Sequence, residues 1–294
     1  MDGVDDTSAV LQAAGLHQPP VEEAPSLLCV IIDTHAEGWH KLEGWSFKET
    51  MASVMVLLNA HMALSNANDV AVLGFNGMGP RMVYPQKEDA PLSDVKLEGT
   101  MYRQFHKMDK TVLAALATQL QETTVNKHCS ISAPLTLALC YTQRIMRQRP
   151  GTRGRILLVS VTGDVPSKYI STMNSIFAAQ KAHIPIDVCK LGGEKTNLQQ
   201  AADFTGGAYI DIAHPRGLVQ YFMSTFLIDP ATRQMLNQAT QPEVDFRAVC
   251  FLTKEVVEIG HVCSVCLCIM KDEPDGSCPI CHTVFESTQL PSFT

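Results

Sequence analysis

The segment LLCVIID at residues 27–33 is apolar at six successive positions and then stops on an acid. A strand with one wet face alternates apolar and polar residues, so an unbroken run of this kind belongs to a strand covered on both faces. DVAVLGF at 69–75, RILLVSV at 155–161, IDVCKL at 186–191 and AYIDI at 208–212 read as further strands. Between them the apolar period lengthens. After Phe47, the residues Met51, Val54, Met55, Leu58 and Met62 recur at steps of three and four, and Ile131, Leu135, Ala138, Leu139, Thr142 and Ile145 share one helical face. Helices are predicted over 105–122, 131–147, 167–182, 195–205 and from about 216 to 238. Strands alternating with helices call for an α/β fold, a Rossmann-like, mostly parallel sheet with helices on both faces. Arg81–Tyr84, following Gly77-Met78-Gly79-Pro80, reads as an antiparallel hairpin partner at a sheet edge, and 85–100 as an irregular polar insertion.

A second pattern lies near the carboxyl end, where Cys263-Ser-Val-Cys266 is followed by Cys278-Pro-Ile-Cys281. Each two-residue knuckle points two thiolates at one centre from a tight turn, and four sulfurs complete the tetrahedral shell of a structural zinc ion. Such a site has no open position for an activated water, so one Zn2+ here folds the segment and does not catalyse. Cys250, Cys268, His261 and His282 lie close enough in sequence to be rival ligands. The order of cysteines and histidines lacks the interleaving of a two-zinc RING module, which argues against a ubiquitin ligase. Cys29, Cys129, Cys140 and Cys189 are scattered in apolar stretches and read as small buried hydrophobes, not as a disulfide framework.

The chain divides on this reading into an acidic tail at 1–25, an α/β domain at 26–239 and a zinc-binding module at 240–294. The tail carries Asp2, Asp5, Asp6, Glu22 and Glu23 with no Lys or Arg, so it supplies five of the seven formal negative charges, and its composition predicts disorder. What remains is nearly neutral and gives no broad positive field for nonspecific nucleic-acid binding. Lys254, Lys271 and His261 in the module are outnumbered by Glu255, Glu258, Asp272, Glu273 and Asp275, which disfavours a zinc-ribbon reader of nucleic acid. The run Arg144, Arg147, Arg149, Arg153 and Arg155 reads as a helix carboxyl end and a solvated turn at Pro150-Gly151. No apolar stretch is long enough for a bilayer, and a soluble protein in a reducing compartment is expected.

Functional sites on parallel sheets sit beyond the carboxyl ends of the strands. Those ends offer Asp33, the turn Thr162-Gly163-Asp164, and the loop around Ser130 and Ser132. No glycine-rich phosphate loop follows the first strand, where Thr34-His35-Ala36-Glu37 stands instead. His35, Glu37 and Asp164 lack a nucleophile beside a base, and an enzyme is disfavoured.

Asp33 ending strand one, the edge hairpin, and the turn Phe204-Thr205-Gly206-Gly207-Ala208-Tyr209 together resemble the von Willebrand factor A fold. In that family a magnesium-dependent adhesion site begins Asp-x-Ser-x-Ser. Here both serine positions have departed, to His35 and Glu37, and Asp33 and Asp164 read as structural acceptors of a degenerate site. With the zinc knuckles added, FAAQKAHIPIDVCKLG at 177–192, DFRAVCF at 245–251 and EIGHVCSVCLCI at 258–269 resemble the Tfb-four-type subunit of the transcription factor IIH core, over about residues 27 to 286. The resemblance implies a nuclear, non-catalytic subunit serving RNA polymerase II initiation and nucleotide excision repair. It also implies a docking partner, the other von Willebrand A-bearing core subunit, which carries a RING-like zinc domain. The alternatives kept beside it are a von Willebrand A-type adaptor that binds ubiquitin or another protein, and a zinc-ribbon nucleic-acid-binding protein.

Overall fold

The structure, a computed structural model, describes residues 24–42, 44–86, 102–121, 130–162, 169–191, 196–212, 214–233, 235–236, 244, 247–253, 255–266, 268–274 and 276–285. The acidic tail but for its last two residues, nearly all of the 85–100 insertion, Cys129 and Asp164 therefore lie outside the described residues.

Six strands form one sheet: β1 (Ser26–Asp33), β2 (Asp69–Asn76), β3 (Gly79–Tyr84), β4 (Arg153–Ser160), β5 (Ile186–Lys190) and β6 (Tyr209–Asp211). Their spatial order is β3-β2-β1-β4-β5-β6, and every pairing is parallel except that of β2 with β3. β1 lies in the interior of the sheet, bonded to β2 with Leu28 opposite Val70 and to β4 with Cys29 opposite Ile156. The continuous apolar run is explained by what it separates. Leu28, Val30 and Ile32 enter one core and Leu27, Cys29 and Ile31 the other, all at 0% exposure. Two cores divided by one sheet leave no position from Leu27 to Asp33 that water can reach.

The first core is closed by α2 (Phe47–Leu64), α3 (Arg103–Gln121) and the segment Leu218–Phe226; the short α1 (Ala36–Lys41) rests on its rim through Trp39. Met51, Val54, Met55, Leu58 and Met62 are buried as their spacing predicts, and α3 contributes Met108, Val112 and Leu116. The second core is closed by α4 (Ser132–Gln148), α5 (Tyr169–Lys181) and α6 (Thr196–Thr205). Gly206 and Gly207 join α6 to β6 for two different reasons. Gly206 has φ +68°, where a side chain is strained, whereas a Cβ on Gly207 would stand 2.0 Å from the carbonyl oxygen of Ile186.

Three expectations need correction, and one element has no counterpart in the sequence reading. The predicted helices from 216 to 238 are a four-residue α7 (Leu218–Tyr221), a π-turn over Phe222–Phe226 in which Leu227 N–H donates to the Phe222 carbonyl, and a four-residue α8 (Pro230–Arg233). Pro230 has no N–H to continue the earlier helix, and it disfavours helical backbone at Asp229. Arg155 is not part of a solvated turn. It is 2% exposed, and its guanidinium donates to the carbonyls of Leu227 and Ile228 at 3.0 and 2.8 Å. Cys140 is exposed, unlike Cys29 and Cys189, because α4 turns that position away from the sheet. The six-residue α1 was not anticipated, since none of its residues is buried and it carries no apolar stripe.

The arginines at the amino-terminal edge of the sheet are mostly engaged. Arg149 pairs with Asp69, Arg153 with Asp229, and Arg144 lies 5.0 Å over the Tyr141 ring. Arg233 grips Asp187 through two bonds of 2.5 and 2.6 Å, and Ala208 N–H donates to the same carboxylate. No helix among the described residues is long and apolar enough to cross a membrane.

Candidate metal centre and the closed strand end

The cysteine-rich module is built from hairpins of two-residue strands. β7 (Ala248–Val249) pairs with β8 (Val256–Val257), and β9 (His261–Val262) with β10 (Ile269–Met270). The β9–β10 hairpin carries the first knuckle, and an isolated bridge between Ser277 and Val284 frames the second. The two are closed alike: Cys263 N–H donates to the Cys268 carbonyl at 3.0 Å and Cys278 N–H to the Thr283 carbonyl at 2.8 Å, each five residues on. The cluster these short strands bury is small: Cys263, Cys268, Met270 and Cys278, with Phe251, Ile280 and Phe285 packed around them.

Five thiols converge. Cys263 Sγ lies 3.7 Å from Cys281 Sγ, and Cys266 Sγ 3.7 Å from Cys278 Sγ. Four sulfurs each about 2.3 Å from one zinc ion stand about 3.8 Å apart along a tetrahedral edge. Two sulfur pairs of the sequence-predicted quartet, Cys263 with Cys281 and Cys266 with Cys278, stand at that spacing. The set whose sulfurs all lie within 4.8 Å of one another is a different one, with Cys268 in place of Cys281. Cys263, Cys266 and Cys278 belong to both sets, and the fourth position has two candidates. The backbone N–H of Cys281, with that of Ile280, stabilises the Cys278 thiolate against the cost of burial and holds its pKa down at about 6. Cys281 is lowered as well, first by the Thr283 hydroxyl 3.1 Å away.

Among the described residues the remaining rivals do not belong to that set of mutually close sulfurs. His261 and His282 are exposed. Cys250 is buried apart, in a turn that follows knuckle geometry, Thr253 N–H donating to its sulfur at 3.5 Å, with Thr253 where a second cysteine would complete a pair. Burial raises the Cys250 pKa, but hydrogen bonds from the Thr253 side chain first, then from the Thr253 N–H and the Lys271 N–H at 3.3 Å, outweigh it and bring the thiol to about 7.

At the carboxyl end of the sheet Asp33 is fully buried and fully occupied. Its Oδ2 accepts from Val161 N–H at 3.2 Å, Thr162 N–H at 2.9 Å and the Thr162 hydroxyl at 2.6 Å, and its Oδ1 from His35 N–H at 3.0 Å. His35 stands at the first departed serine position and works as a helix cap, its Nδ1 accepting from Gly38 N–H. α1 then closes over the loop so tightly that a Cβ on Gly38 would meet Thr162 Cγ2 at 2.8 Å. Beneath it Lys190, at 0% exposure, donates from Nζ to the Thr162 carbonyl at 2.6 Å. Sequence reading passed over Lys190 because one lysine at a strand end looks solvated; only its burial marks it. The hydroxyls of Ser130 and Ser132 bond each other at 2.8 Å.

A six-stranded sheet of this order with one antiparallel edge, helices on both faces, and a thiol cluster able to hold a metal ion define a von Willebrand A-like protein with an appended cysteine module. Comparison with known proteins takes this further. The model of the family described as transcription factor Tfb4 matches residues 25–282, and the chain belongs to that family. The chain is similar to the general transcription and DNA repair factor IIH subunit TFB4 of Yarrowia lipolytica, with 40% identity over 99% of this chain and 95% of the relative. Its identity to the Schizosaccharomyces pombe subunit tfb4 is 41%, covering 90% of each. Among solved structures, the TFIIH p34 N-terminal domain superposes with a TM-score of 0.59 at 33% identity, over 68% of this chain and 97% of that one.

Proposed function

We propose that this chain is a non-catalytic structural subunit of the transcription factor IIH core, acting through protein–protein contacts in RNA polymerase II initiation and nucleotide excision repair in the nucleus. One observation carries this reading: a chain of the Tfb4 family joins a von Willebrand A-like sheet to a convergent thiol cluster. Asp33, the acid that ends strand one, has its carboxylate committed to four donors. In this reading the body at 26–239 docks on the other von Willebrand A-bearing core subunit, which brings a RING-like zinc domain. The module at 240–294 holds one structural Zn2+ through Cys263, Cys266, Cys278 and Cys281 and adds contacts to the rest of the complex. The donor set supports zinc, since four thiolates and no oxygen suit a borderline-soft ion and leave no open position.

Affinity purification of the tagged chain from nuclear extract tests the assignment. Recovery of the other IIH core subunits with one zinc per chain is the expected result, and removing residues 240–294 should leave capture of the von Willebrand A-bearing partner in place. A chain recovered alone, or one that hydrolyses ester, phosphate or peptide substrates, would overturn it.

A further inference from the structure

The two knuckle hairpins are built alike, and the residue two positions beyond the second cysteine of each fills the same place. In the second hairpin that residue is Thr283, whose hydroxyl lies 3.1 Å from Cys281 Sγ and supports it. In the first it is Cys268, beyond Cys266. Both residues lend their carbonyl to the first cysteine of their own knuckle. A threonine there can only steady its neighbour. A cysteine is itself a metal ligand, and Cys268 Sγ reaches across the cluster to within 3.5 Å of Cys278 Sγ, shorter than either of the two 3.7 Å contacts made by the quartet. It is fully buried, whereas Cys281 is half-buried at the rim.

We propose that Cys268 is an interchangeable fourth ligand of the metal centre. Resting on the reading of this cluster as a zinc site, the ion is held by Cys263, Cys266 and Cys278 as a fixed tripod, and the fourth position passes between Cys281 at the rim and Cys268 in the interior. Zinc has no d-electron preference to penalise such a change, and a tetrahedral shell takes only one of the two. Each exchange swaps one zinc–thiolate bond for another, and the proton on the incoming thiol passes to the outgoing thiolate. The centre therefore tolerates loss of either thiol but not of both.

The test uses the full-length chain as wild type and as Cys281→Ser, Cys268→Thr, Cys268→Thr/Cys281→Ser and Cys278→Ser. Zinc per chain is measured directly, and thiolate count is read from the charge-transfer absorption of the cobalt-substituted protein. Cys268→Thr copies the residue of the second hairpin, so its hydrogen bonding survives, and melting of the sheet domain reports that each variant is folded. The expected result is one ion and a four-thiolate spectrum in wild type and both single variants, with loss of the ion from the double variant and from Cys278→Ser. If Cys281→Ser loses the ion as completely as Cys278→Ser, or if the double variant keeps it, the interchange is wrong while the zinc site stands. A wild-type chain that takes up neither ion overturns both.

Discussion

Lys190 Nζ lies 2.6 Å from the Thr162 carbonyl, and the same Thr162 gives its N–H and its hydroxyl to Asp33. Lysine, threonine and aspartate thus tie the ends of β5, β4 and β1 together at the carboxyl end of the sheet. Ser160 joins them, its hydroxyl donating to the Thr162 carbonyl at 2.7 Å. The strand ends are locked by the chain's own groups.

Replacing either end of this lock should cost stability. Lys190→Met removes a charge-assisted bond to a buried carbonyl, and unfolding free energy should fall by about 1.5–3 kcal/mol. Asp33→Ala strands the Val161 and Thr162 donors and should cost at least as much. Urea denaturation of the wild type and both variants, with and without magnesium, checks this, and magnesium should change none of the midpoints.

The pair Arg233–Asp187 is buried on both sides, with side-chain exposures of 7% and 0%. Removing one partner leaves a buried charge without its counter-ion, so Arg233→Met should destabilise by about 3–5 kcal/mol. Replacing both, as Arg233→Met with Asp187→Leu, should cost less than the sum of the two single changes, because the interaction is then absent from both members. A double-mutant cycle by denaturant unfolding measures the difference.

His61 should make the sheet domain acid-sensitive. Burial above all, and then the Arg155 charge, hold its pKa down at about 4, and its Nδ1 faces the Arg155 guanidinium at 3.4 Å. An unfolded histidine titrates near 6.5, so between these values the unfolded chain binds more protons and stability rises with pH. The contribution is fully present above about pH 6.5 and is lost as pH falls toward 4. His61→Gln should flatten that part of a plot of urea midpoint against pH and leave the carboxylate titrations below it unchanged.

Metal removal should separate the two parts of the chain. Cys263→Ser, which removes a thiol common to both four-sulfur sets, should abolish zinc binding and hydrogen-exchange protection over 247–285 while the sheet domain melts as before. A chelator applied to the wild type should do the same.

Much of this was legible from one dimension. The unbroken run at 27–33 could only be a strand between two cores, because an apolar residue at every position requires cover on both faces, and the steps of three and four after Phe47 fixed the buried stripe of α2. The knuckle spacing marked the cysteine-rich module, since two residues between cysteines is a local constraint that a tight turn satisfies by itself. The glycine pair at 206–207 was readable as a helix end, though not the close approach of the Ile186 carbonyl that forbids a side chain on Gly207.

What the sequence determined by itself was whatever depends on neighbours along the chain: periodicity, turn chemistry and the spacing of ligands within one knuckle. The tertiary structure alone decided which charged groups are buried and which thiols face one another. Arg155, Lys190, Asp187 and Arg233 look like surface residues in one dimension, and each is buried because a partner from a distant segment arrives to satisfy it. Proximity in sequence had offered Cys250, Cys268, His261 and His282 alike as rival ligands, and the fold alone set Cys268 beside Cys278, for the distance between sulfurs on separate hairpins is set by how those hairpins pack and not by how many residues lie between them.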